Sequence, residues 1–385
     1  MRPDVALIGP YPSTGEGRLV SGIASYTAHL ARGLVGEGLA VEVVAPRLPG
    51  QAPAFDDDGV LVHRSFDPGL GGLSTAVRAA KGLAPRVVHL QFDLRAYGGA
   101  AGAAGLLPAL GRARKGGAPL VATMHQPVDA GVVDSAHLDW IRPVPPVLAR
   151  MGIAGIQEAI SRAASATIVH EEPSRRSVPR ARLIPHGVAA STTGDRLAAR
   201  RQFGIGADEF VVLCFGWLGP AKNLELLLDA AELAGPGVSV VIAGADYPML
   251  RGSIGYGDKL RDRYAGVTRF TGWVPDRQVP GWFAAADLAV FPYPRPFAAS
   301  GGLALALAHG TPALLSPALA RCAGAPSLMA APLDPGALAH RMTELAHDPE
   351  ALDELRTWTH IMARDRQWET IAHRHRLLYQ EVQGG

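Results

Sequence analysis

The sequence predicts an α/β protein made of two doubly wound parallel sheets, each with its own core. Short apolar runs alternate with longer amphipathic ones along the chain, as a parallel sheet with crossover helices requires. The length, 385 residues, exceeds the roughly 250–300 at which a single core stops growing. Between two complete α/β series, residues 185–194 gather Pro, His, Gly, Ser and Thr, a hinge composition. The first domain is therefore expected to comprise residues 1–187 plus a returning segment 365–385, and the second residues 188–364.

The period of the apolar residues places the elements. In the first half, strands are expected at 5–8, 40–45, 60–63, 87–91, 120–124, 166–169 and 182–184, and helices at 22–36, 74–81, 102–114 and 155–164. In the second half, strands are expected at 210–215, 239–243, 267–271, 288–291, 313–315 and 328–330. Helices there fall at 224–233, 257–264, 279–286, 303–308, 335–347 and 349–363. Trp368, Ile371, Leu378 and Tyr379 share one face of a final helix. Doubly wound sheets bind ligands outside their C-terminal strand ends, so two facing sheets predict a cleft between the domains.

Hydrophobic residues make up 48% and charged ones 19%, which supplies two cores and leaves little for long disordered arms. The formal net charge is +2 and no Lys/Arg run forms a binding arm, so no nucleic-acid partner is expected. Cys214 and Cys322 lie far apart with no metal-type spacing, consistent with a reduced, cytoplasmic setting. No leader-like or membrane-spanning run appears. Arg175, Arg176, Arg180 and Arg182, with Arg142 and Arg150 beside Trp140, Ile141 and Leu148, limit membrane contact to a peripheral basic-apolar surface. Asp56-Asp-Asp58 has the look of a metal motif but reads as a solvated turn next to Gly59. No metal and no cofactor is called for.

The chemistry concentrates in the second half. The apolar run Phe210-Val-Val-Leu-Cys214 leads into Phe215-Gly-Trp-Leu-Gly-Pro-Ala-Lys-Asn223, and an apolar-periodic segment begins at Leu224. A buried strand, a Gly-rich turn, one lysine and a helix start together present a phosphate with amides and a cation. Gly216 and Gly219 allow close backbone approach, and Lys222 supplies the charge. A second loop-to-helix site, Ala299-Ser-Gly-Gly-Leu303, offers a hydroxyl and successive N–H groups. Two anion-ready loops suggest a diphosphate held from two sides. Ser300 as a plain N-cap and Lys222 as a solvated lysine are the competing structural readings.

At this point the chain resembles the GT-B glycosyltransferases of the large family-4, retaining, nucleotide-sugar-dependent group. The resemblance rests on landmarks in family order. They are Gly9-Pro-Tyr-Pro12 with Ser21-Gly22; Val87-Val-His-Leu-Gln91; Ala122-Thr-Met-His125; Ile184-Pro-His-Gly-Val188; and the Phe215–Asn223 turn. Val241-Ile-Ala-Gly244, Phe270-Thr-Gly-Trp-Val274, Ala286-Asp-Leu-Ala-Val-Phe-Pro292 and residues 300–312 follow, and the final helix resembles the element that crosses back onto the first domain. Relatives commonly carry two glutamates at the second loop. Here Pro296 or Phe297 stands near the first place and Ala304 or Leu305 near the second. The arginine that often accompanies the lysine is also missing, with Trp217 in its neighbourhood.

The resemblance implies transfer of a sugar from a nucleoside diphosphate sugar to a hydroxyl acceptor with retained configuration, by a monomer or homodimer. Lys222 and His125 are the expected catalytic residues. Gly216, Trp217, Gly219, Asn223, Gly244, Arg295, Ser300, Gly301, Gly302 and Leu303 are expected to bind the donor, with Arg295 replacing a missing charge. Ser21, Gly22, Gln91, Asp93 and His186 are expected at the acceptor or sugar junction. A nucleotide-sugar epimerase or hydrolase, or a non-catalytic nucleotide-sugar-binding scaffold, would share these landmarks.

Overall fold

The computed structural model describes residues 2–14, 22–115, 117–127, 129, 145–178, 180–189, 194–246, 253–294 and 300–384. They form two compact units, Met1–Gly187 with Arg366–Gly385, and Val188–Asp365.

The first unit runs β1 (Val5–Ile8), α1 (Gly22–Gly36), β2 (Val41–Pro46), β3 (Ala54–Asp57), β4 (Val60–Phe66), α2 (Gly72–Gly82) and β5 (Val87–Phe92). It continues with α3 (Ala100–Ala104), α4 (Leu106–Arg114), β6 (Leu120–Met124), α5 (Pro146–Ala163), β7 (Ala166–Val169) and β8 (Arg182–Leu183). The sheet order is β3-β4-β2-β1-β5-β6-β7-β8. Every pairing is parallel except the edge pair β3–β4. Central strands such as β1 and β5 are buried at every residue, as expected where helices cover both faces.

The second unit runs α6 (Arg196–Phe203), β9 (Phe210–Phe215), α7 (Leu224–Ala234), β10 (Val238–Ala243), α8 (Tyr256–Arg263), β11 (Thr268–Gly272) and α9 (Val279–Ala285). Then come β12 (Leu288–Phe291), α10 (Gly301–His309), β13 (Ala313–Leu315), α11 (Pro317–Ala323), α12 (Pro335–His347) and α13 (Pro349–Arg364). Its order, β11-β10-β9-β12-β13, is all parallel and reverses direction between β9 and β12. That reversal is the switch point at which doubly wound sheets bind ligands. The chain then returns to the first unit as α14 (Trp368–Gly384), which packs on α1.

Three expectations need correcting, and helices α6 and α11 have no counterpart among them. Asp56 and Asp57 lie on β3 rather than in a turn, because Arg32 and the Tyr11 hydroxyl, each 2.7 Å from Asp57 Oδ2, hold that edge in place. The 102–114 helix breaks into α3 and α4 at Gly105, whose N–H closes a turn on the Gly102 carbonyl. The strand expected at 328–330 is a single 3₁₀ turn with one bridge from Ala330 to Leu315. Helix α6 was not expected. Its polar sequence is fixed by Arg200, which is 1% exposed and reaches Asp287 Oδ2 at 2.5 Å and the carbonyls of Ala285, Gly206, Ala207 and Glu209.

Candidate functional site

Several of the residues singled out gather into one cluster in each unit. In the second unit, β9 ends at Phe215 and Gly216 follows at φ +121°, a conformation L side chains rarely adopt. The Gly216 N–H donates to the Ala243 carbonyl at 2.9 Å and the Leu218 N–H to the Ala245 carbonyl at 2.8 Å, tying this loop to the one after β10. A Cβ on Gly244 would stand 2.0 Å from the Gly216 oxygen, so glycine there is a packing requirement. Residues Pro220–Lys222 make one 3₁₀ turn, and Asn223, at φ 52°, redirects the chain into α7.

This turn folds the Lys222 side chain back under the strand end. Its Nζ lies 2.8 Å from where a Cβ on Gly216 would be and 5.5 Å from the centroid of the Tyr293 ring. No carboxylate pairs with it among the described residues. Burial lowers its pKa to about 8, opposed by the nearby Cys214 thiol, whose own pKa burial raises to about 11.

Helix α10 begins at the same place. Ser300 caps it, its Oγ accepting from the Leu303 N–H at 3.2 Å. A Cβ on Gly302 would meet the Phe215 carbonyl oxygen at 2.7 Å and the Phe291 ring at 2.8 Å, so this helix start lies directly against the end of β9. The amides of Gly301 and Gly302 have no intrahelical partner, and the helix dipole favours an anion there. A cation without a carboxylate and a free helix N-terminus thus meet at the switch point of one sheet.

Lys222, Gly216, Gly244, Ser300, Gly302 and Leu303 are brought together, with Gly301 next to them. Trp217 turns instead onto Trp273, ring centroids 4.9 Å apart, and Gly219 backs onto Ser253. Arg295 lies outside the described residues. Tyr293 was missed in the sequence; nothing in local spacing announces a ring just beyond β12 beneath a lysine in the turn after β9.

The first unit gathers histidines. His125 follows β6, with Nε2 2.8 Å from the Gln91 amide and Nδ1 3.4 Å from His170 Nε2. His170 Nδ1 donates to the Ile184 carbonyl at 2.9 Å, and His125 Nε2 donates to the Gln91 Oε1, which can only accept. Gln91 also reaches His89, whose ring bonds Thr123 at 2.8 Å and the Tyr379 hydroxyl at 2.6 Å. Tyr26 packs against His125, His170, His186 and Trp368 with centroids 4.7 to 5.1 Å apart. Burial pushes the pKa of His170 down to about 3 and those of His186 and His375 to about 4, and holds His89 and His125 well below the ordinary value.

This cluster changes the reading of the first-unit residues. Gln91 has no exposed surface, and both ring nitrogens of His125 are engaged inside the unit, so neither presents a free group to a substrate. Asp93 is buried too: it accepts from the Arg95 backbone N–H at 2.8 Å and pairs with the Arg95 guanidinium. His186 donates to the Gly187 carbonyl at 2.7 Å, and a Cβ on Gly187 would strike the Trp368 ring at 2.4 Å, which explains the glycine. Gly22 opens α1 with nothing within 4 Å of its Cβ position. Ser21 lies outside the described residues, as do Trp140, Ile141 and Arg142. His170, Tyr26 and His375 were not anticipated, because their contacts run laterally across strands and into α14.

Among the described residues, no group of three His, Cys, Asp or Glu side chains is arranged to hold a metal ion, and no helix is long and apolar enough to cross a membrane.

Two family models match in chain order. Residues 20–191 match the one described as Glycosyltransferase Family 4 and residues 209–348 the one described as Glycosyl transferases group 1. The D-inositol 3-phosphate glycosyltransferase of Mycobacteroides abscessus is 35% identical over 145 residues, 33% of this chain and 32% of that protein. The match thus spans about a third of the curated relative's length. The sucrose-phosphate synthase of Thermosynechococcus elongatus superposes with a TM-score of 0.75 at 18% identity, covering 98% of both chains. Anabaena Alr3699/HepE in complex with UDP-glucose gives 0.68 at 17% identity over 98% of this chain and 99% of that one. With consecutive family models spanning both units and a fold shared over nearly its whole length, the chain belongs to the family-4, group-1 glycosyltransferases and has the GT-B fold.

Proposed function

We propose that this protein moves a sugar from a nucleoside diphosphate sugar onto a hydroxyl acceptor with retention of anomeric configuration. One observation carries the reading: Lys222, without a carboxylate partner among the described residues, lies beside the N-terminal amides of α10 at the switch point of the second sheet. That combination suits two adjacent phosphates. Breaking the bond between the anomeric carbon and the phosphate oxygen builds negative charge on the leaving diphosphate, which an ammonium and helix amides stabilise. The acceptor oxygen forms its bond to the same carbon on the same face, and its proton passes to the departing phosphate oxygen. Support from relatives agrees: HepE binds UDP-glucose, and Arabidopsis starch synthase IV was solved with ADP and acarbose.

Calorimetric titration with UDP, GDP and ADP, followed by product analysis with the matching sugar nucleotides, tests this. We expect saturable binding of a diphosphate and an acceptor-dependent product with unchanged anomeric configuration. Binding without turnover on a broad acceptor panel would favour a scaffold, and free sugar released without acceptor a hydrolase. An inverted product would remove the retaining mechanism.

A further inference from the structure

One polar group near the Lys222 pocket is left over. Tyr293 stands two residues beyond β12 and is 5% exposed. Its hydroxyl feels the neighbouring Ser300 hydroxyl but, among the described residues, closes no hydrogen bond of ordinary geometry. A buried hydroxyl left unpaired is destabilising, and folded proteins seldom keep one without use. Arg64 Nε, another unpaired buried donor, has a local explanation: the same guanidinium already ties the Pro46 and Pro12 carbonyls. Tyr293 has no such second tie.

Its surroundings define what would satisfy it. The Lys222 ammonium lies 5.5 Å from the ring centroid, and Ser300 begins α10. A cation and a helix N-terminus favour an anionic oxygen, which is also the acceptor a phenolic O–H lacks. Burial holds the Tyr293 pKa well above that of a free tyrosine, so the group remains a donor across the neutral range. Trp217, in the same turn as Lys222, is occupied with Trp273.

Resting on the donor reading above, we infer that the Tyr293 hydroxyl is a third grip on the diphosphate, a neutral donor beside Lys222 and the α10 amides. A neutral donor leaves a distinct signature: removing it weakens binding without changing the dependence on salt, whereas removing Lys222 reduces that dependence.

The experiment is calorimetric titration of UDP, GDP and ADP into the wild type, Tyr293→Phe and Lys222→Ala at low and high ionic strength, with melting temperatures of the unligated proteins. Tyr293→Phe keeps the ring under Lys222 and deletes one oxygen. We expect it to weaken the tightest-binding diphosphate about tenfold or more at both ionic strengths, the scale of one hydrogen bond to a charged group. Its unligated melting temperature should hold or rise, because an unpaired hydroxyl has gone. Unchanged affinity overturns the inference and leaves the donor reading standing. A lowered melting temperature would show a structural partner for the hydroxyl and overturns it as well. A wild type that binds none of the three diphosphates overturns both.

Discussion

Lys222 shows how one side chain can be read at two levels. A lysine after a Gly-rich turn is visible in the sequence, but its burial and its lowered pKa of about 8 come from folding back under β9 against Tyr293. A bound diphosphate would raise that pKa, so binding takes up a proton whenever the free lysine is neutral. Affinity should therefore hold below about pH 8 and fall about tenfold per pH unit above it, the limiting slope for one linked proton. Titrations at pH 7, 8, 9 and 10 check this, and Lys222→Ala should be flat over that range. The same substitution should lower turnover at least tenfold, about 1.4 kcal/mol of transition-state stabilisation. Wild-type affinity that ignores pH would remove Lys222 from contact with the phosphates. His125 teaches the reverse lesson. Its place after a strand pointed to a ligand, yet both nitrogens are used by Gln91 and His170, partners that only the lateral order of β5, β6 and β7 brings within reach.

At the scale of elements, the candidate site depends on how closely α10 approaches β9. Gly302→Ala would press a methyl group into the Phe215 carbonyl and the Phe291 ring, at 2.7 and 2.8 Å. Backbone must move to relieve it, so we expect a loss of about 1–3 kcal/mol in urea unfolding, with weaker diphosphate binding. Gly301→Ala, with nothing within 4 Å of its Cβ position, serves as the control and should be close to neutral. Helix α6 makes a second case. Asp287→Ala would leave the buried Arg200 guanidinium without its counter-charge, at a cost of about 3–5 kcal/mol measurable by the same unfolding. A loss below 1 kcal/mol would mean that the carbonyl contacts alone satisfy Arg200. Helix α6 escaped sequence reading because its polar surface carries no periodic apolar stripe; a single arginine reaching Asp287, 87 residues away, anchors it. Strand β3 escaped for a similar reason, since three successive aspartates imply a turn unless Arg32 and Tyr11 are known to wait beside them.

At the scale of the molecule, the histidine cluster makes acid stability a property of the first unit. Above about pH 6.5 its five rings are neutral in both the folded and the unfolded state and contribute nothing. Below that, the unfolded chain takes up protons while the folded unit resists, since its values lie near 4 for His186 and His375, near 3 for His170, and well below normal for His89 and His125. Stability should therefore fall as pH drops from about 6.5 toward 4, by up to roughly 7 kcal/mol per pH unit if all five participate. That is comparable to the whole stability of a domain. Near-ultraviolet circular dichroism and tryptophan emission from Trp368 should report loss of the first unit between about pH 6 and 5, and His375→Gln should make the loss shallower. A first unit unchanged to pH 4.5 would refute this.

The α/β class, the central strands, the Gly-rich turn with Lys222, the Ser300 helix start and the resemblance to family 4 are all legible in the order of residues alone. Each is local: apolar period, turn chemistry and capping are set by residues within a few positions of one another. Tertiary structure decided which of those residues are available. It withdrew Gln91 and His125 into a mutual hydrogen bond and Asp93 into a pairing with Arg95, and it added Tyr293 beneath Lys222. It also built the edge and helix that Asp57 and Arg200 hold in place. The reason is that burial and hydrogen-bond partnership depend on neighbours across strands, and strand order is a property of the assembled sheet rather than of any segment within it.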